Sequence, residues 1–236
     1  MKSYNEQLTA LRASGNLRHL PEVEHQGIWI LKEGKRMLNL SSNDYLGLAS
    51  RQDLQEEFQA STQDRFYPYS SSSSRLLTGN FSVYTKLEKQ IARSFDREAA
   101  LIFNSGYHAN TGILPALTDK QTLLLADKLV HASIIDGILL SGSPFLRYRH
   151  NDYDQLERLV QKNACQYETI IILTESIFSM DGDVADLNRL IAIKRQYPNI
   201  LLYVDEAHAI GARGKTGLGI AEEQSCIQEI DPVSYT

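Results

Sequence analysis

The chain has 236 residues, 42% hydrophobic and 22% charged, and a formal net charge of −5. That is enough apolar material to bury a real core in one or two domains, and the acidic balance speaks against a protein that coats nucleic acid, which would carry a basic excess. No apolar run approaches the roughly 18 residues of a membrane span, and two distant cysteines, Cys165 and Cys226, make neither a CxxC nor a disulfide framework, so composition points to a globular protein of the reducing cytoplasm.

The first 20 residues are polar and amphipathic, without the apolar centre of a signal peptide. Leu8 and Leu11 share one face, which predicts a short helix ending near Gly15. Residues 27–40 read as a hairpin, with the β-rich runs Ile28–Leu31 and Met37–Leu40 on either side of Glu33-Gly34. Residues 1–50 are therefore expected to form a helix-and-hairpin segment, and 51–236 a larger domain. Five serines in a row, Ser70 to Ser74, predict a tight loop that exposes its backbone. Val83, Leu87, Ile91 and Phe95 fall on one face of a helix over 82–95.

From residue 100 strands and helices alternate. Strands are expected at 100–103, 122–127, 145–149, 168–176 and 199–208, and helices at 107–117, 131–140, 152–161 and 185–197. The runs TIIIL and ILLYV lack polar alternation, as in strands buried on both faces of a mostly parallel sheet. The order implies an α/β fold with helices on both faces of that sheet. In such folds ligands sit at the carboxyl ends of the strands.

Four strand ends carry polar clusters. After 100–103 comes Asn104-Ser105-Gly106-Tyr107-His108-Ala109-Asn110, a glycine turn into a helix, which is either an ordinary cap or an anion site built from free N–H groups. After 122–127, His131 falls at a helix start, where the macrodipole disfavours its cationic form; it is either a capping histidine or a ring that stacks on a flat ligand. After 168–173 come Thr174-Glu175-Ser176-Ile177-Phe178-Ser179-Met180-Asp181-Gly182-Asp183, which lack the acidic spacing of a calcium loop, so no metal is expected. After ILLYV comes Asp205-Glu206-Ala207-His208; an aspartate at the end of a central strand is costly to bury unpaired and calls for a cationic partner. Residues 209–216 loosely match a phosphate loop and DEAH matches a helicase box, but the strand feeding such a loop should not already end in the acidic box.

Together, SSNDYLGL (41–48), SRLLTGN (74–80), SGYHAN (105–110), HAS (131–133), TESIFSMDGD (174–183) and VDEAH (204–208) resemble the α-oxoamine synthases in order and spacing. These are pyridoxal 5'-phosphate enzymes of the aspartate-aminotransferase fold, type I. The resemblance implies that this chain is the large domain of that fold, ending before the smaller C-terminal domain. Ser-Arg-Leu followed by Thr-Gly-Asn, and Gly-Asn-Leu-Arg-His-Leu-Pro near the start, are most similar to members that condense L-alanine with pimeloyl-CoA or a pimeloyl-carrier protein. Those members release carbon dioxide and the carrier thiol, in biotin biosynthesis. Glycine-using relatives are the near alternative.

The resemblance also implies residue roles. Asp205 would pair with the pyridinium nitrogen, whose proton makes the cofactor an electron sink. Gly106 and Tyr107 N–H groups would hold its phosphate. His131 would stack on the ring and help place the substrate, as the one catalytic side chain assigned here. Ser179 and His208 would hydrogen-bond the cofactor, and Arg18 would bind a substrate carboxylate. The family is homodimeric, so a homodimer is expected, with no nucleic-acid or membrane partner.

Two departures stand out. The family's cofactor-anchoring lysine is expected roughly thirty residues beyond Asp205, whereas the only lysine after Asp205 is Lys215, in a glycine-rich loop. The tail from Asp231 does not continue as the apolar strand that should lead to it. The chain is therefore expected to be a fragment that binds cofactor weakly and turns over nothing. Ser70–Ser73 also replace a glycine-rich run, so a tight loop should survive but glycine-only backbone angles should not. Two other readings remain: an aminotransferase or lyase of the same fold, or a non-catalytic binding or dimerisation module.

Overall fold

A computed structural model describes residues 3–62 and 70–231 and the backbone of 233–234. The chain divides into two compact units, residues 1–65 and 66–236.

The first unit opens with α1 (Tyr4–Ala13), started by a capping box in which the Ser3 side chain accepts from the Glu6 N–H and Glu6 reaches back to the Ser3 N–H. A three-stranded antiparallel sheet follows: β1 (Glu24–Gln26), β2 (Trp29–Lys32) and β3 (Lys35–Leu38). The expected turn is there. Glu33 and Gly34 both take positive φ, 51° and 74°, which suits a tight two-residue hairpin loop. That turn sets the register Lys32↔Lys35, so the strands sit one or two residues from the expected runs. β1 and the helix α2 (Gln52–Thr62) are additions to the sequence reading.

The second unit holds α3 (Ser82–Ser94), α4 (Gly106–Leu117), β4 (Thr122–Asp127), α5 (Ala132–Ser141), β5 (Phe145–Tyr148), α6 (Tyr153–Asn163), β6 (Thr169–Glu175), α7 (Leu187–Lys194), β7 (Ile200–Asp205), the short α8 (Ile220–Glu223) and β8 (Val233–Ser234). The strands form one parallel sheet in the order β5-β4-β6-β7-β8. Period-two alternation sorts the side chains onto two faces. Leu123, Leu125, Ile170, Ile172, Leu202 and Val204 pack with Leu156 and Val160 of α6 and Leu190 and Ile191 of α7. Leu124, Ala126, Ile171, Leu173 and Tyr203 pack with Leu114 of α4 and Ile134 and Ile138 of α5. Helices thus cover both faces, as the unbroken apolar runs require. From β4 the chain turns to β5 on one side, and from β6 to β7 on the other. The carboxyl ends of β4 and β6 therefore flank the topological switch point, where α/β folds place ligands.

Three expectations need correction. Residues 100–103 form no strand. No neighbouring strand offers them a ladder among the described residues, and side chains take over instead: the Ile102 N–H donates to Glu88 (2.9 Å) and its carbonyl accepts from Arg75 (3.1 Å). The tail does rejoin the sheet, because β8 pairs with the end of β7 through Val204↔Val233 and Asp205↔Ser234. Finally, Ser72 occupies the left-handed region at φ 55°, its N–H donating to the Ser70 hydroxyl (3.0 Å), so serine keeps a conformation that glycine takes more easily. Nearby, Gly79 tolerates no Cβ, which would lie 1.9 Å from the Ser73 carbonyl oxygen. Among the described residues no helix is long and apolar enough to cross a membrane.

Candidate active site

The carboxyl ends of β6 and β7 place two carboxylates side by side, with Glu175 paired in register to Asp205. Both are buried, at 3% and 6% exposure. Asp205 Oδ2 accepts from Asn110 Nδ2 (2.8 Å) and Oδ1 from the Ala207 N–H (2.9 Å). Among the described residues it forms no ion pair with a lysine or arginine; its protein partners are an amide and a backbone N–H. Burial first, and the Asp205 charge second, push the Glu175 carboxyl up to about 7.

Glu175 also joins two of the predicted residues, His131 and Ser179. It accepts the His131 N–H and the Ser179 N–H. His131 is the N-cap of α5, its Nδ1 accepting from the Ser133 N–H at 3.2 Å, so capping is part of its role. On α4, Gly106, Asn110 and Leu114 are buried at i, i+4 and i+8, one helical stripe. That stripe carries Gly106 at the helix start and Asn110 one turn deeper, against Asp205. Ser105 caps α4 by accepting the His108 N–H (3.2 Å). Tyr107 is half exposed, and its hydroxyl donates to Asp136 of α5 (2.7 Å). His208 is half-buried in the turn after β7, and Ser179 is exposed in the loop after β6. Arg18 is exposed and lies in the first unit, in the irregular segment after α1.

The loop that could have been read as acidic and metal-binding is built otherwise. His150 bridges two carboxylates, Nδ1 to Asp127 Oδ1 (3.0 Å) and Nε2 to Asp183 Oδ2 (2.5 Å), while Asn151 Nδ2 donates to the same Asp183 oxygen (2.9 Å). The His150 ring meets Phe178 edge-on at 4.4 Å between centroids. Burial lowers the His150 pKa, but the two carboxylates outweigh it, and the net shift is upward. The bridge ties the loop carrying Ser179 to the end of β4. The glycine-rich stretch after β7 is no phosphate loop: a buried Glu206 accepts from the Ser176 hydroxyl (2.6 Å) and from the Ile220 and Ala221 N–H groups (3.1 and 2.8 Å), so the N-terminus of α8 is already filled by a carboxylate.

Asn110, Ser133 and Glu175 stand inside the sequence motifs but carry no signal of chemistry there. The available clue is position: Asn110 shares the buried stripe of Gly106 and Leu114, and a polar group on such a stripe needs a buried partner.

The family profile for aminotransferase class I and II matches residues 35–231. Relatives from Pasteurella multocida and Haemophilus influenzae, provisionally named 8-amino-7-oxononanoate synthases, are 56% and 58% identical over 231 residues. These matches take in 98% of this chain, which spans only about 60% of their length. Among solved structures, a serine palmitoyltransferase from S. paucimobilis with bound PLP–myriocin aligns at 26% identity and TM-score 0.83, over 97% of this chain and 57% of that one. The 8-amino-7-oxononanoate synthase of Francisella tularensis aligns at 31% identity and TM-score 0.62, over 78% of this chain and 49% of that one. The resemblance to α-oxoamine synthases is thus upheld, the parallel sheet with helices on both faces is that of the type I PLP-dependent enzymes, and the chain belongs to the aminotransferase class I and II family.

Proposed function

We propose that this chain carries the cofactor site of a PLP-dependent C-acyltransferase that condenses L-alanine with a pimeloyl thioester, releasing carbon dioxide and the carrier thiol. The observation behind this reading is Asp205: a buried carboxylate at the switch-point side of a parallel sheet, held by neutral donors and paired with no lysine or arginine among the described residues. Its natural complement is a flat cation that brings its own N–H, and a protonated pyridine nitrogen is such a group.

The donor set fits the cofactor. Asn110 and the Ala207 N–H fix both Asp205 oxygens, leaving lone pairs for a ring N–H. Gly106 and Tyr107 begin α4, where no preceding turn supplies acceptors for their N–H groups, so they would take a phosphate. His131 would lie on the ring face and orient the amino-acid substrate. Ser179 and His208 would hydrogen-bond the ring substituents. Arg18 would bind a substrate carboxylate. Bound PLP supplies an electron sink for charge developing at the alanine α-carbon. Asp205 would keep the proton on the ring nitrogen, and Glu175 holds the His131 and Ser179 backbones in place. Lys215 is exposed, and the family's anchoring-lysine role is not assigned to it. A homodimer in the cytoplasm, using pimeloyl-CoA or a pimeloyl-carrier protein, completes the proposal.

Calorimetric titration with PLP tests the site. Asp205→Asn should weaken binding at least about tenfold, since a charge-assisted hydrogen bond is worth roughly 1.5–3 kcal/mol. Equal affinity of the two proteins would remove Asp205 from the site. A chimaera completed with the remaining length of the H. influenzae relative tests the reaction. Thiol release from pimeloyl-CoA with L-alanine is expected; release with glycine alone would overturn the substrate, and none with either, from a folded chimaera, the acyltransferase reading.

A further inference from the structure

Beneath the site lies a chain of hydrogen bonds whose direction is fixed at one end. Tyr203 Oη and Asn110 Oδ1 are 2.5 Å apart, Asn110 Nδ2 lies 2.8 Å from Asp205 Oδ2 and 2.9 Å from Ser133 Oγ, and Ser133 Oγ lies 2.7 Å from His131 Nδ1. Asn110, Ser133 and Tyr203 are at most 1% exposed.

The directions follow from chemistry. An ionised carboxylate only accepts. Asp205 therefore requires the amide nitrogen of Asn110, not its oxygen. The oxygen then faces Tyr203, whose hydroxyl donates to it. The second N–H of Asn110 points at Ser133 Oγ, which accepts. The Ser133 backbone N–H requires Nδ1 to accept, so in the 2.7 Å contact the Ser133 hydroxyl proton is given to His131 Nδ1. The Ser133 backbone N–H points at the same nitrogen, 3.2 Å away. Two donors on Nδ1 leave it no room for a proton of its own.

We propose that Asn110 and Ser133 are positioning residues that pass the orientation set by Asp205 to His131, holding the imidazole with its proton on Nε2. The exposed edge of the ring then offers a donor rather than an acceptor to whatever binds above it. The same carboxylate that would hold the cofactor's ring proton thereby sets the hydrogen-bonding sense of the residue above it. This inference deepens the proposed cofactor site and rests on Asp205 being its charged member.

Ring-nitrogen NMR of the histidine-labelled, PLP-free chain tests it, because protonated and bare ring nitrogens resonate far apart. His131→Gln identifies the resonances. The native ring should show a bare Nδ1 and a protonated Nε2. Ser133→Ala should move the tautomer ratio roughly two- to tenfold toward Nδ1–H, the range expected for one lost hydroxyl hydrogen bond. Ser133→Thr, which restores a hydroxyl, should bring the ratio back. A native ring protonated on Nδ1, or a ratio unmoved by Ser133→Ala, overturns the proposal. PLP titration of Asp205→Asn reports separately on the cofactor reading: unchanged affinity there defeats that reading and leaves the tautomer result standing.

Discussion

His150 offers the sharpest test of the electrostatics, because its two partners differ in burial. The Asp127 side chain is 1% exposed and that of Asp183 is 40% exposed. When His150 is charged, its hydrogen bond to the buried Asp127 should contribute roughly 1.5–3 kcal/mol. The half-exposed Asp183 arm adds less than about 1 kcal/mol, because water screens it. The folded pKa is raised above the ordinary 6.5. The stabilisation is therefore fully present below 6.5 and is lost as pH rises through the folded value. His150→Gln keeps polar contacts but cannot charge. In urea unfolding followed by circular dichroism, it should cost about 2–3 kcal/mol at about pH 6 and about 1 kcal/mol at about pH 9, where only neutral hydrogen bonds are at stake. At the acidic end that is a fall in Tm of roughly 5–10 °C for a protein of this size. A cost that stays constant across this range would show that His150 is neutral in its bridge, and a larger cost at alkaline pH would reverse the sign of the reasoning.

Glu175, raised to about 7, works the other way: the folded state holds its proton more tightly than the unfolded one, so it withdraws stability as pH climbs from the unfolded value toward 7 and beyond. Glu175→Gln should therefore gain on the native protein between about pH 5 and about pH 8 in the same assay, by up to about 3 kcal/mol, and parallel pH curves would refute it. Gly137→Ala should cost about 1–3 kcal/mol and weaken PLP binding, because the new Cβ would sit 2.6 Å from the Asn110 carbonyl oxygen and force α4 and α5 apart; native-like stability and affinity would show that the helices yield freely. Leu114→Ala, at a fully buried position between α4 and the sheet, should lower unfolding free energy by about 2–5 kcal/mol, and a loss under about 1 kcal/mol would mean that the layer repacks.

The second unit was legible where burial is complete. β4 was expected at 122–127 and stands there, and β6 and β7 were placed within a few residues, because runs such as Ile170–Leu173 can satisfy their apolar surface only between two helical layers. Residues 100–103 have the same apolar look, but a strand needs a neighbour, and that requirement is nonlocal. α2 escaped because none of its residues is buried, so it has no core-facing stripe. At the site, Asp205 and His131 announced themselves by position after strands. Asn110 and Ser133 did not, since an amide or hydroxyl inside a helix gains chemical meaning only from what folding sets opposite it.

The lead-in to α4 is suspended differently from the other strand ends. A ladder would fasten it at every second residue; here Ile102 is pinned on both sides by one ion pair, Arg75 with Glu88 (2.8 Å), whose guanidinium also rests on the Tyr84 ring at 4.5 Å. Gly106 lies four residues downstream of that single rivet. Ionic strength, which leaves the apolar layers untouched, therefore acts on the aim of the phosphate-facing turn, and a charge reversal at position 88 would be felt at a distance, as lost grip on an anion that Glu88 never meets.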